Sequence, residues 1–145
     1  GGYARPMPAS WMQRQSVAVA ERMKQADIVI TTALIPGRKA PVLVTEDMVR
    51  SMKPGSVVLD MAVEQGGNCA VSELGQTVVR HGVTIIGQPN IPATVPADSS
   101  ALYARNVLDF LKLVLTQEGG LTINREDDIV AACLMCSGGE VLRKN

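Results

Sequence analysis

The stretch Asp27-Ile28-Val29-Ile30-Thr31-Thr32-Ala33 decides the fold, because it is a short β-branched run in which polar and apolar residues do not alternate. Such a run is typical of a strand that is buried on both faces of a sheet. Two later runs, residues 56–62 and 83–86, have the same character. The sequence therefore predicts three strands of one parallel sheet.

Helical segments are predicted between and before these strands. Residues 10–25 form the first, because Ser10 can cap its first turn and apolar residues recur at helical spacing behind it. A short second helix follows Thr45 and ends before Pro54-Gly55. Strands that alternate with helices in this way predict parallel β-α-β units and an α/β fold of the doubly wound, Rossmann type.

The last third of the chain has a different pattern. After the proline-rich loop at residues 90–98, a long helix is predicted from a cap at Asp98, Ser99 or Ser100 to about Gln117, buried on most sides. Residues 121–124 and 129–136 are predicted strands, and a turn at residues 137–139 closes a C-terminal β-hairpin. We therefore predict one domain over residues 1–98 and, over residues 99–145, a helix and hairpin that belong to a second α/β domain.

Composition excludes several classes of function. The chain has 145 residues, of which 46% are hydrophobic and 19% charged, so a folded domain is expected. Fourteen basic residues balance fourteen acidic ones and aromatic residues make up 3%, which argues against nucleic acid as a partner. No apolar stretch reaches the roughly 18–20 residues that span a bilayer, so a soluble chain is expected. Three cysteines without a secretory signal favour a reducing compartment.

Two strand ends are the candidate ligand sites, because ligands of open parallel sheets bind beyond the carboxyl ends of the strands. Residues 31–37 offer hydroxyl groups and an apolar ledge after the first strand. Residues 62–69 contain Gly66-Gly67, which would let a ligand approach the backbone. Each segment is equally compatible with a plain turn.

Other chemical groups are weaker candidates. Cys133 and Cys136 form one isolated pair, which does not make a zinc site. His81 stands beside Gly82 in a turn and is expected to face solvent. Asp60, inside the second strand, could orient a ligand group or serve as a buried, hydrogen-bonded structural acid.

The absence of one motif limits which part of a dinucleotide-binding fold these strands can form. A dinucleotide fold carries a Gly-x-Gly-x-x-Gly turn after its first strand, and this chain has none. If the strands belong to such a fold, they form its second half, and the phosphate-binding turn would precede Gly1.

The motifs together resemble one family. The resemblance to the NAD(H)-binding component, the alpha subunit, of proton-translocating NAD(P) transhydrogenase covers essentially the whole chain. It rests on Gly1-Gly2-Tyr3-Ala4, on residues 26–37, on Ala40-Pro41, on residues 52–57 with Asp60, and on the Gly-Gly-Asn-Cys of residues 66–69. Alanine dehydrogenases share the Pro-Gly and Gly-Gly turns but typically lack the Gly-Gly-Tyr-Ala segment.

This resemblance implies NAD(H) as the cofactor and six residues that bind it. No catalytic residue and no metal ligand is implied. Two residues resemble the tip of the family's loop that folds over NAD(H), one resembles a glutamine that contacts the nucleotide, and three resemble the strand end beside the nicotinamide. These are, in that order, Gly2 and Tyr3, Gln15, and Thr32, Ala33 and Leu34.

The resemblance also implies an activity that needs further components. The family passes a hydride from NADH to NADP⁺ and couples this transfer to proton translocation. The implied partners are the N-terminal remainder of the subunit, a second copy of it, an NADP(H)-binding beta subunit and a membrane domain, so the chain would lie on the cytoplasmic side of the inner membrane. Two alternatives stay open: a fragment of an alanine-dehydrogenase-like amino acid dehydrogenase, and a structural half without nucleotide affinity of its own.

Overall fold

The computed structural model of the protein describes residues 7–143, which divide into two compact units. The first unit ends at Ile91 and the second begins at Pro92. This division comes before the boundary after residue 98 that the sequence predicts.

The first unit is an α/β domain, as predicted, and its sheet has four strands, one more than predicted. Its strand order is β1-β2-β4-β3, in which β1 and β4 both run parallel to β2, and β3 runs antiparallel to β4. Its elements are α1 (Ala9–Met23), β1 (Ile28–Thr31), α2 (Glu46–Arg50), β2 (Val57–Asp60), a 3₁₀ turn (Val63–Gln65), β3 (Thr77–Arg80) and β4 (Val83–Ile86).

Strand β3 was not predicted from the sequence. It is joined to β4 by the two residues His81 and Gly82, whose φ angles are +53° and +78°. A two-residue turn with both φ angles positive matches the right-handed twist of an antiparallel pair, so this turn makes a tight hairpin. The parallel sheet thus acquires an antiparallel edge strand.

A single hydrophobic core holds the first unit together. It combines side chains of α1, α2, β2 and β4 with those of the segments that follow them. Its buried members are Met23, Val44, Met48, Val49, Met52, Val58, Cys69, Val83 and Ile85. Helix α2 is fixed to this core at the predicted cap, where Oγ1 of Thr45 accepts the N–H of Met48 at 3.3 Å.

The predicted burial of β1 on both faces is wrong. Ile28 and Ile30 are 68% and 58% exposed. Ile28 and Ile30 lie on one face of the sheet, which the described residues leave open, whereas Thr31 on the opposite face is buried.

The second unit contains α3 (Pro96–Val114), α4 (Asp128–Cys133) and a hairpin of β5 (Cys136–Ser137) with β6 (Glu140–Val141). Helix α3 begins earlier than predicted, because Pro96 occupies its first turn, where a missing N–H costs nothing. Its predicted burial on most sides is also wrong: Leu102 and Leu108 are 68% and 53% exposed.

The C-terminal hairpin is confirmed but is shorter than predicted. Residues 129–133, expected as strand, belong to α4, because Oδ1 of Asp127 accepts the N–H groups of Ile129 and Val130 at 2.9 and 3.0 Å. This cap starts a helix in a segment whose apolar run is equally compatible with a strand. None of the helices within residues 7–143 has both the length and the apolar character that crossing a bilayer requires.

Candidate functional site

The two strand ends that the sequence singles out lie side by side. Thr31, the last residue of β1, pairs with Asp60, the last residue of β2. The N–H of Met61 donates to the carbonyl of Thr31 at 3.0 Å and extends the pairing by one bond. Residues 31–37 and 62–69 therefore leave the sheet at the same edge, where parallel α/β sheets bind ligands.

Asp60 organises the loop that follows β2. Its side chain is completely buried and its carboxylate accepts five hydrogen bonds. Three come from the backbone N–H groups of Ala62 (3.0 Å), Asn68 (3.1 Å) and Cys69 (2.9 Å), and two from the hydroxyls of Ser72 (2.6 Å) and Thr31 (3.3 Å). A carboxylate so fully occupied by its own chain is a structural acid, which resolves the two roles considered for Asp60.

The pKa of Asp60 is lowered from its ordinary value of 3.8. Burial alone would raise the pKa, because it disfavours the charged form. The bonds donated by Ser72 and by the N–H groups of Cys69, Asn68 and Ala62 outweigh that effect. The loop therefore folds around an ionised carboxylate.

The glycine pair makes room for side chains of the same chain. A Cβ on Gly66 would lie 2.8 Å from carbons of the Lys39 side chain, and one on Gly67 would lie 2.7 Å from Oγ of Ser72. Both glycines have positive φ angles, +93° and +81°. Lys39 and Ser72 therefore fill the space through which a ligand was expected to approach the backbone of the two glycines.

Asn68 joins the two loops. Its side chain is completely buried; Oδ1 accepts the N–H of Ala33 at 2.9 Å, and Nδ2 donates to the carbonyls of Ala33 at 3.0 Å and Pro41 at 2.7 Å. The Asn68 carbonyl accepts the N–H groups of Leu43 and Val44 at 2.9 and 3.0 Å. One residue of the β2 loop therefore holds both ends of the β1 loop.

The predicted strand-end residues differ in their bonding. Both backbone polar groups of Ala33, which is half-buried, are taken by Asn68. Within residues 7–143, Thr32 and Leu34 make no hydrogen bond, and both are exposed. Because the C=O and N–H of a planar trans peptide point in opposite directions, the Thr32 carbonyl and the Leu34 N–H face away from Asn68.

Gln15 lies on α1 beside a cavity of about 280 Å³. The cavity is lined by α1, by the end of β1 including Thr31, and by residues 42–44. Gln15 also lines a second cavity of about 400 Å³ between α1 and the start of β1, and both volumes are near the lower end of the roughly 300–1,000 Å³ of ligand sites. Thr32, Ala33 and Leu34 line neither cavity, although they directly follow Thr31. Gly2 and Tyr3 lie outside the described residues.

The weaker candidates do not assemble a site. Cys133 ends α4 and Cys136 begins β5, both exposed, and no group of three potential metal-binding side chains occurs within residues 7–143. Cys69 is buried, and burial followed by the nearby Asp60 charge raises the pKa of its thiol. His81 is in the predicted turn, but its Nε2 lies 2.8 Å from Oε1 of Glu46.

Asn68 is the site residue that sequence reasoning missed. In the sequence it stands out only as one letter of the Gly-Gly-Asn-Cys motif. A usable signal was present, because a carboxamide directly after two glycines at a strand end can satisfy backbone groups of a neighbouring loop.

The chain is similar to known proteins along most of its length. The chain is 47% identical to an NAD(P) transhydrogenase subunit alpha protein of Rhodospirillum rubrum over 143 residues, covering 98% of the chain and 37% of that relative. A solved transhydrogenase structure from Sinorhizobium meliloti superimposes with a TM-score of 0.75 at 44% identity, covering 94% of this chain and 38% of that one. Alanine dehydrogenase of Lysinibacillus sphaericus is 42% identical over 97 residues, covering 63% of this chain and 26% of the enzyme.

The chain thus spans less than two fifths of the length of these relatives. Residues 6–144 match the family described as alanine dehydrogenase/PNT, C-terminal domain. The match takes in both units and the joined strand ends, and the chain therefore belongs to that family.

Proposed function

We propose that this chain belongs to the NAD(H)-binding component of an NAD(P) transhydrogenase and binds the nicotinamide end of NAD(H) beside the end of β1. The observation that carries this proposal is the extent of the likeness. The transhydrogenase alpha relative matches 98% of the chain, second unit included, whereas the alanine dehydrogenase match covers 63%.

The free polar groups at the end of β1 support a nicotinamide there. The carboxamide of nicotinamide carries N–H donors and a carbonyl acceptor, and the backbone groups of Thr32 and Leu34 offer the complementary acceptor and donor. Neither residue makes another bond within residues 7–143. The cavity of about 280 Å³ beside Gln15 also borders Thr31, the residue directly before these groups.

When bound, NAD(H) supplies the hydride that passes to NADP⁺ on a partner domain. The residues of this chain orient and shield the cofactor. Thr32 and Leu34 fix the carboxamide, and Ala33 between them leaves the ring room to lie against the strand end. Residues 42–44 and the apolar side chains of α1 keep water from one wall of the cavity. Positioning of this kind accounts for a large share of catalysis when the cofactor performs the chemistry.

The proposed complex has further components. They are the N-terminal remainder of the subunit, a second copy of it, an NADP(H)-binding beta subunit and a membrane domain that couples hydride transfer to proton translocation. The complex would stand on the cytoplasmic side of the inner membrane. The open edge of β1, with its exposed Ile28 and Ile30, supports the first partner, because an apolar edge strand favours pairing with a further strand.

An NADH titration tests the proposal. We would compare this chain alone with the intact subunit, meaning this chain joined to its proposed N-terminal remainder, and follow NADH fluorescence in both. The proposal expects tight binding by the intact subunit and weak or no binding by the chain alone. Hydride transfer to NADP⁺ with the partner subunit, without oxidation of alanine, would separate it from an amino acid dehydrogenase. Absence of NADH binding by the intact subunit would refute it.

A further inference from the structure

We infer that Asn68 is a positioning residue for the nicotinamide: its buried carboxamide sets the backbone of Ala33, and thereby directs the free polar groups of Thr32 and Leu34 toward the ligand. This inference rests on the proposed function, because it assumes that NAD(H) binds at the end of β1. It adds a role for a residue that does not itself face the ligand.

Strand β1 loses its backbone partner directly after Thr31. The ladder between β1 and β2 ends at the pair Thr31 and Asp60, followed by one bond from Met61 to Thr31. Beyond that point no backbone of β2 accompanies β1. The Asn68 side chain takes its place, because a carboxamide offers one acceptor and two donors in the plane of a peptide group. It accepts the Ala33 N–H at 2.9 Å and donates to the Ala33 carbonyl at 3.0 Å.

Asn68 is itself fixed by hydrogen bonds to its surroundings. It is completely buried, and its own N–H donates to Oδ1 of Asp60 at 3.1 Å. Its carbonyl accepts two N–H groups from residues 43 and 44, and its second amide hydrogen reaches the Pro41 carbonyl at 2.7 Å. Every polar group of Asn68 is thus satisfied by the chain, so the side chain has one orientation and transmits it to Ala33.

The bonds between Ala33 and Asn68 also fix the direction of the two adjoining peptide groups. In a planar trans peptide the C=O and the N–H point in opposite directions. Since the Ala33 N–H and carbonyl both point at Asn68, the Thr32 carbonyl and the Leu34 N–H point away from it. Thr32 and Leu34 are the two predicted site residues that make no bond within residues 7–143. Without Asn68, residues 32–34 could rotate and turn these groups away from the ligand.

The test compares two ligands in the intact subunit. NADH carries a nicotinamide and ADP-ribose does not. Asn68→Ala should weaken NADH binding by about ten- to a hundredfold, the range found where a residue that orients a ligand-contacting group is lost. Its affinity for ADP-ribose should stay within about twofold of wild type, whereas a general loosening of the fold would weaken both ligands alike.

Ser72→Ala is the matched control. Ser72 donates to the same Asp60 carboxylate, at 2.6 Å, but does not contact Ala33. It should leave the ratio of NADH to ADP-ribose affinity unchanged. An unchanged ratio for Asn68→Ala, with NADH bound by the wild type, would overturn the inference while leaving the proposed function intact. A wild type that binds no NADH would instead refute the proposed function.

A measurement on the wild type decides the matter if Asn68→Ala does not fold. Amide hydrogen exchange should be slow at Ala33 without any nucleotide, because Asn68 and not the ligand accepts its N–H. Exchange at Ala33 that is fast in the free protein and slows only when NADH is added would overturn the inference.

Discussion

The α-carbon of Gly67 faces the carboxylate of Asp60 so closely that a Cβ there would lie 2.8 Å from Oδ2. The same Cβ would lie 2.7 Å from the Ser72 hydroxyl, and the φ angle of Gly67 is +81°. Glycine is therefore required at position 67 for two reasons: the backbone has a positive φ angle, and a side chain there would crowd the carboxylate of Asp60 and its hydrogen-bond donors.

Gly67→Ala should destabilise the protein beyond the cost of an unfavourable φ angle. That cost alone is roughly 1–2 kcal/mol; crowding the buried carboxylate should add about 1–3 kcal/mol. Urea unfolding measures the loss. Gly75→Ala separates the two contributions, because Gly75 has a φ angle of +73° and a Cβ there would meet nothing within 4 Å. Equal losses for the two variants would contradict the proposed contact.

Asp60→Asn should lower stability at neutral pH and lower it less in acid. The Asn side chain places an amide group among donors that all point at the carboxylate, so roughly 1–3 kcal/mol is expected to be lost at pH 7. The folded pKa of Asp60 lies below its ordinary 3.8, so the folded state binds fewer protons than the unfolded state in acid. The stabilisation of the folded state by the charged Asp60 side chain is complete well above pH 3.8, and it disappears as the pH falls through the pKa of Asp60 in the folded state.

Unfolding free energies of wild type and Asp60→Asn, measured from pH 7 down to pH 2, check this expectation. The difference between the two proteins should be constant above about pH 5 and shrink below pH 3.8. A difference that stays constant down to pH 2 would mean that Asp60 is not the group responsible.

The His81 contact should govern the acidity of Glu46. The pKa of Glu46 lies below its ordinary value of 4.5, first because of the hydrogen bond with His81, against a smaller opposing effect of burial, and less through Arg50. His81→Asn keeps a residue that tolerates the positive φ angle, and should return the pKa of Glu46 toward 4.5. Arg50→Gln should raise it less. Carboxyl-carbon NMR titration measures both, and the reverse order would contradict this ranking.

The acidic cap of α4 should decide between helix and strand in a segment whose sequence pattern is compatible with both. Asp127→Ala removes the acceptor of two N–H groups and should cost about 1 kcal/mol, mainly in α4. Amide exchange at Ile129 and Val130 should accelerate more than at residues 140–141 of the hairpin. Uniform acceleration across the second unit would show that the cap has no local role.

How far the sequence predicts the fold depends on the range of the deciding interactions. The alternation of strands and helices and the Thr45 cap are local signals, and both are confirmed. Strand β3 was missed because only one of its four side chains, Val78, packs against the core, and because its pairing with β4 depends on the His81 turn. The burial predicted for β1 and α3 is wrong because an apolar pattern shows which residues favour burial but does not show which other element covers them.

The two candidate loops were predicted from the sequence and lie side by side in the structure, but the contacts that join them were not predicted. The rule that ligands bind at strand carboxyl ends identifies both loops from the sequence. The contact between Asn68 and Ala33 spans 35 positions in the chain, and nothing local to either residue announces it. The Gly66-Gly67 pair was expected to admit a ligand, but the side chains that fill its space, Lys39 and Ser72, become evident only in three dimensions.

Ala33→Leu should weaken NADH binding to the intact subunit without unfolding it. Ala33 is half-buried between the two exposed residues proposed to meet the nicotinamide, so a larger side chain should press into the space of the ring. We expect a loss of about 1.4–2.8 kcal/mol, or about ten- to a hundredfold in Kd. ADP-ribose affinity should hold, because that molecule carries no ring at this position.

Ala104→Leu is the matched control for that substitution. It adds the same carbons at an exposed position of α3, where both residues favour a helix, so NADH affinity and melting temperature should not change. Fluorescence titration with NADH, and competition with ADP-ribose, measure the two affinities. An unchanged NADH Kd for Ala33→Leu would remove the nicotinamide from the end of β1, whereas equal losses for both ligands would indicate damage to the fold and not to the ring position.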